Sequence, residues 1–281
     1  MERLVKNFVL ATSLVTLMAA TGAHADAWEV ELGGGIMLSQ RDSTDTDIVG
    51  SPFKGAFLEG YGATDIGGLR FAIDGRVEVI DDEGRDDVYE TGPVHSGVLG
   101  LHLGKEVNGN LVGGYVAVGM FDGSVSDSPM RGWTAGIEAE RALGNGAIYG
   151  QLGYVRAVGD EGDNEFDGAN LRVGYTRQFN DSWSGMAAIE VAHSGDCFED
   201  CGGDWGRAVS AEFGVTYSTA SDWDLTGSLR FTKITANTED EAHDKSLYLG
   251  VSKSFGGKPT SSSLRTPMGG FRAAGWMAPL D

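Results

Sequence analysis

Few residues in this chain are equipped for covalent or metal chemistry. Two cysteines, Cys197 and Cys201, stand in the run Cys-Phe-Glu-Asp-Cys. In an exported chain two cysteines this close read as a disulfide. A metal site is the rival reading, because Glu199, Asp200 and Asp204 crowd the same stretch; no His lies within it, and His193 falls just outside. His95-Ser96 and His193-Ser194 pair a base with a hydroxyl, the raw material of nucleophilic hydrolysis. Neighbouring residues on a strand point to opposite faces, so neither pair alone sets a base beside its nucleophile. Gly33-Gly34-Gly35 is no phosphate loop, since no Lys-Ser/Thr follows it. No enzyme motif emerges, and the expectation is a non-catalytic chain without cofactor or metal.

The richer set of reactive groups is ionic and lies on alternate positions. Leu69, Phe71, Ile73, Val77 and Val79 share one parity, and Arg70, Asp74, Arg76 and Glu78 the other. Leu171, Val173 and Tyr175 oppose Asn170, Arg172 and Thr176; Val209, Phe213, Val215 and Tyr217 oppose Ser210, Glu212 and Thr216. Period-two alternation is the mark of strands with one apolar and one polar face. The charged set comprises Glu29, Glu31, Arg70, Asp74, Arg76, Glu78, His102, Glu138, Glu140, Arg172, Glu190, Glu212 and Arg230. Runs at 52–64, 111–121 and 147–158 are ambiguous in phase and leave Glu59 and Arg156 unassigned.

The clearest positioning elements are two runs near the end, Trp223 to Phe231 and Leu247 to Phe255, joined by an acidic loop. The same pattern recurs from Trp28 onward. Twelve such runs fall at about 27–38, 52–64, 69–80, 94–105, 111–121, 132–142, 147–158, 168–179, 183–193, 207–218, 223–234 and 245–255. Short Gly/Asn/Asp connections of hairpin type alternate with longer ones at 39–51, 81–93, 122–131, 159–167, 194–206 and 235–244. The pattern predicts an all-β fold, a single closed antiparallel transmembrane β-barrel of 12 strands. Short turns and both ends would be periplasmic, and the long acidic loops external. A charge facing lipid near the midplane costs ~2–4 kcal/mol, so the charged faces must point to the lumen. Trp28, Phe179, Trp183, Trp223 and Phe255 sit beside short turns or chain ends, where an interfacial girdle belongs.

Residues 1–25 combine Arg3 and Lys6, an apolar run from Phe8 to Ala20 and Ala23-His24-Ala25, the layout of a cleaved signal peptide. Without them the chain carries 19 basic and 40 acidic residues, a net of −21, which argues against nucleic acid as partner. The six long loops together account for that whole excess. They form either a solvated, self-repelling set or an anionic collar that gathers cations, divalent ions included. The barrel occupies 26–256. After it, Gly256 to Ser263 reads as a linker, and 257–281 as a flexible periplasmic tail, with a plug or docking segment as the alternative.

Signal peptide, alternating runs, turn-loop rhythm and terminal Phe255 together resemble the Gram-negative outer-membrane β-barrel (porin-like) superfamily over about 26–255. The resemblance implies residence in the cell outer membrane, contact with its lipid, insertion by the outer-membrane assembly machinery, and often passive diffusion of small solutes. Twelve strands lie between filled eight-stranded barrels and open porins, so either a narrow channel or a closed surface-interaction barrel fits. A lipid hydrolase is the enzymatic alternative. One expectation is tested without a structure: mass spectrometry of the non-reduced protein should find Cys197 and Cys201 joined, with two hydrogens lost. Free thiols or a bound metal would refute the disulfide.

Overall fold

The computed structural model describes residues 28–43, 49–81, 94–122, 130–158, 165–197, 206–236, 240–256 and 264–267. Twelve strands are present: β1 (Glu29–Ser43), β2 (Val49–Ile66), β3 (Leu69–Asp81), β4 (Val94–Val107), β5 (Asn110–Asp122), β6 (Met130–Leu143), β7 (Gly146–Val158), β8 (Glu165–Gln178), β9 (Trp183–Cys197), β10 (Gly206–Ser218), β11 (Trp223–Ala236) and β12 (Asp240–Phe255). Each pairs antiparallel with its sequence neighbours, and β1 pairs with β12 to close the barrel. The first twenty-seven residues, Cys201 and most of the tail lie outside the described residues, and with them the expected signal peptide and disulfide.

Alternation decides what faces where. Ile36, Leu58, Leu101, Ile137, Leu152, Ile189, Phe213, Leu229 and Leu249 are exposed on the outer wall. Their neighbours in sequence turn inward, as with buried Met37, His102, Glu138 and Gln151. The three runs of uncertain phase resolve the same way. Phe57, Tyr61, Tyr115 and Tyr149 are buried inside, so Glu59 is a lumen residue, whereas Arg156 is exposed on the outside.

The short turns follow from their residues. Gly67-Gly68 and Asn108-Gly109 hold positive φ at both central positions, the two-residue turn that matches strand twist. Asn180 Oδ1 accepts the amides of Ser182 (3.0 Å) and Trp183 (2.9 Å), closing the β8–β9 turn. Strands run further at the opposite end than alternation alone indicates: β1 extends to Ser43, and β11 and β12 leave only residues 237–239 between them. Ladder hydrogen bonding continues into water there, because it does not need an apolar outer face. Part of the acidity expected in loops therefore rests on strands. Glu241 of β12 is bridged by Lys233 at 2.6 Å, and Asp244 is buried inside beside Ser39 and Ser246.

Phe179, Trp183, Trp223 and Phe255 are exposed near the short turns, with Trp183 against Tyr217 at 5.0 Å and Trp28 edge-on to Phe71 at 6.4 Å. Trp133 and Tyr154, 5.5 Å apart, stand on the outer wall towards the other end. Aromatics at both rims fit the two interfaces of a bilayer. The wall generates a test. Ile137→Arg, at an outer site 65% exposed, should cost ~2–4 kcal/mol in urea unfolding from lipid vesicles. An unchanged midpoint would contradict a lipid-facing wall.

Candidate functional site

Among the described residues, strand parity gathers a connected set of charges in the lumen. Arg76 on β3 donates to Glu59 on β2 (2.8 Å) and to Glu78 on its own strand (2.7 Å). Arg230 on β11 donates to Glu212 on β10 at 2.7 Å and to the Tyr248 hydroxyl at 3.1 Å. Arg70 pairs with Glu29 at 2.5 Å and, more loosely, with Asp65 at 3.3 Å. His102 on β4 bridges two carboxylates, Asp74 (2.8 Å) on one side and Glu138 (2.9 Å) on the other, and Gln151 extends the chain to Glu138 at 3.0 Å. Acids and bases interleave around the wall and do not form separate rows. Glu140 and Arg172 line the same cavity, and Glu190 lies in register between Arg172 and Ser210.

Sequence reasoning missed the aromatic half of this network. The Arg76 guanidinium lies 4.2 Å from the Phe57 ring and 5.0 Å from Tyr248; Arg230 is 5.0 Å from Tyr248; Arg172 is 5.5 Å from Tyr149. His102 stacks on Tyr115 at 5.9 Å. A cation on an aromatic face keeps part of its stabilisation away from water. The available signal was the appearance of large apolar residues on both parities within β2, β5 and β7, as with Phe57 beside Leu58, Tyr115 beside Val116 and Tyr149 beside Ile148.

Three layers follow along the bore. At the short-turn end is a vestibule of about 1110 Å³ reaching from the rim at Asp181 and Asp222 to Arg76, Arg172 and Arg230. Next come the ion pairs. Beyond them, in the halves of the strands away from the short turns, Val98, Ala117, Val155, Ala157, Phe166, Ala192, Ala208, Ile234 and Ala242 form one buried apolar cluster. All of these point inward, so the lumen is not polar throughout.

The described part of the tail is also inside. Thr266 donates to Asp74 twice, from its amide (3.0 Å) and its hydroxyl (2.8 Å), and Arg265 reaches Glu31 (3.0 Å) and Glu59 (3.4 Å). Leu264 packs with Tyr149 and Ala188. Residues 264–267 are thus held in the bore, where a flexible periplasmic tail was expected; charged and hydrogen-bonded partners on the wall fix them.

The His/Ser pairs stay split. Ser96 and Ser194 are buried while His193 is exposed, and the Ser194 hydroxyl donates to the Asp167 carbonyl at 2.7 Å, fastening the β-bulge at Asp167/Gly168.

An apolar outer wall around a charged interior, on a sheet with no free edge, is stable only in a bilayer. The chain is a closed twelve-stranded β-barrel with the two faces of a membrane-spanning one. No protein-family model matches it, and no curated protein does. Among solved structures it is similar to the Pseudomonas putida toluene transporter TodX (11% identity, 83% of this chain and 90% of that one covered, TM-score 0.46) and to a TodX deletion mutant (12% identity, 83% and 91% covered, TM-score 0.49). It is also similar to the translocator domain of the autotransporter NalP from Neisseria meningitidis (12% identity, 89% and 98% covered, TM-score 0.48) and to the KdgM porin (8% identity, 79% and 99% covered, TM-score 0.43). These likenesses are of barrel architecture.

The network supplies its own test. Removing one member of a charge-assisted pair costs about 1.5–3 kcal/mol, so Glu212→Ala should lower unfolding stability by that order. In a double-mutant cycle with Arg230→Met the coupling should fall within ~0.5–3 kcal/mol. Additive effects would show that the pair does not brace the wall.

Proposed function

We propose that this barrel is a narrow, porin-like channel for passive diffusion of small solutes, with cations favoured. The carrying observation is the vestibule: eight carboxylates (Glu31, Glu59, Asp74, Glu140, Asp181, Glu212, Asp222, Asp224) against five arginines among its lining. Fixed negative charge in a low-dielectric tube raises the local concentration of cations, and the acidic external connections bias the other mouth the same way. Divalent cations at those loops are a further part of this reading, as is insertion by the outer-membrane assembly machinery.

The apolar cluster around Phe166 and Ile234 favours a second reading, a closed-lumen barrel whose external loops do the work. An apolar constriction can also gate by dewetting, which keeps the first reading compatible with a closed resting state. We read the chain as non-enzymatic: the hydroxyl of Ser194 is committed to backbone at a bulge, and His193 faces the other side of the wall.

Reversal potentials across a planar bilayer under a salt gradient test the proposal. The expected sign is cation preference, weakening as the screening length shrinks from ~10 Å at 0.1 M to ~3 Å at 1 M salt. Asp181→Asn with Asp222→Asn at the vestibule rim should reduce it. Anion preference would overturn the electrostatic reading, and absence of current would favour the closed barrel.

A further inference from the structure

The structure assigns residues 264–267 as an internal plug, bound reversibly at a cradle formed by Asp74, Gly100, Glu31 and Glu59. This rests on the diffusion reading and adds its regulation. Four observations build the site. Leu264 and Thr266 are each 3% exposed, and Pro267 is fully buried, although none of the three belongs to the sheet. Thr266 satisfies both carboxylate oxygens of Asp74, one from its amide and one from its hydroxyl, a paired contact that a loosely lodged segment does not make. Arg265 binds Glu31 and Glu59 from adjacent strands and lies 5.9 Å from the Tyr61 ring. The wall is also cut to fit. A Cβ built on Gly100 would lie 1.9 Å from Thr266 Oγ1 and 2.5 Å from Asp74 Oδ1, so the absence of a side chain at Gly100 makes room for the threonine.

The segment spans the bore. Asp74 is on β3, whereas the residues that receive Leu264 are Tyr149 on β7 and Ala188 on β9. Four residues therefore touch both sides of a twelve-stranded lumen and remove cross-section from the vestibule. Seven residues lie between Gly256, at the short-turn end of β12, and Leu264, so eight Cα steps give a reach of up to ~26 Å at ~3.3 Å per residue. None of residues 264–267 belongs to a strand, so release of the plug leaves the sheet ladder intact. The ion pairs and hydrogen bonds of Arg265 and Thr266 face the vestibule, so release exchanges them for hydration, and the apolar cost is confined to the contact of Leu264 with Tyr149 and Ala188.

Asp74 also accepts from His102, which ties the plug to the His102–Glu138–Gln151 chain. Departure of the plug removes the Arg265 guanidinium from the bore and leaves Glu31 and Glu59 facing the solute path. Release should then raise both conductance and cation preference.

Limited proteolysis of the full-length folded protein tests docking without requiring any current. Lys258 precedes Pro259, a bond trypsin does not cut, so Arg265–Thr266 is the first tryptic bond beyond the barrel. In the parent protein this bond should resist trypsin relative to the denatured chain. Gly100→Ala, which sets a methyl where Thr266 docks, should speed its cleavage about tenfold or more, as should Asp74→Asn, because cleavage tracks the population of the released state. Heat-modifiable mobility on gels confirms that each variant is a folded barrel, and replacing 264–267 by Gly-Ser-Gly-Ser leaves every strand intact if Asp74→Asn fails to assemble. In bilayers, Gly100→Ala and the Gly-Ser replacement should raise unitary conductance at least twofold. Cleavage as fast in the parent as in the variants overturns docking. Accelerated cleavage with an unchanged, measurable current overturns plugging. Accelerated cleavage with no current in any variant overturns the diffusion reading, and with it plugging, while docking stands.

Discussion

The constraint on which everything else depends is the backbone hydrogen bond in lipid. A strand inside a bilayer cannot leave its N–H and C=O groups unpaired, because hydrocarbon offers no substitute partner. Twelve strands solve this only if the last meets the first, and here β12 pairs with β1 from Val30↔Phe255 to Ser43↔Ala242. Closure fixes strand parity for the entire chain. Once Ile36, Leu249 and their equivalents face lipid, their neighbours have no choice but to face each other across the lumen.

The contents of that lumen follow from its size. Eight strands leave room for side chains alone, and sixteen or more leave a water channel. With twelve, charged residues approach one another closely enough to pair and still leave a vestibule of about 1110 Å³ beside them. Arg76 and Arg230 each meet a carboxylate and an aromatic face, an arrangement that limits the loss of hydration while holding long side chains against the wall. The surplus of carboxylates over arginines then has two consequences of one origin. In the proposed channel it would bias the vestibule towards cations, and it supplies anionic partners for Arg265. Bore and tail are therefore coupled through the same side chains, as selectivity would be in the proposed channel.

Much of the architecture was legible in the sequence because lipid imposes a strict code. The twelve runs, their turns and the inward set from Glu29 to Arg230 follow from period-two alternation plus the cost of a charge in hydrocarbon. Legibility failed where the lumen borrows apolar residues. Phe57, Tyr61, Tyr115 and Tyr149 face inward to stack on cations, so both faces of β2, β5 and β7 look greasy and phase is lost. Val98, Phe166 and Ile234 blur the code again in the outer half of the bore. Pairings such as His102 between Asp74 and Glu138 join residues of β3, β4 and β6, which alternation places on one face but cannot align in height. The tail was hidden for a different reason: Leu-Arg-Thr-Pro carries no periodic signal, and its place is set by complementarity to Asp74, Glu31 and Glu59.

The central claim is that paired charges and a docked segment keep this lumen narrow. Solute exclusion by liposomes carrying the full-length protein addresses it most directly. Osmotic swelling should be measurable with the smallest neutral solutes, fall steeply through the monosaccharides, and vanish for a trisaccharide such as raffinose. Entry of raffinose at a rate comparable to that of a monosaccharide would contradict the account.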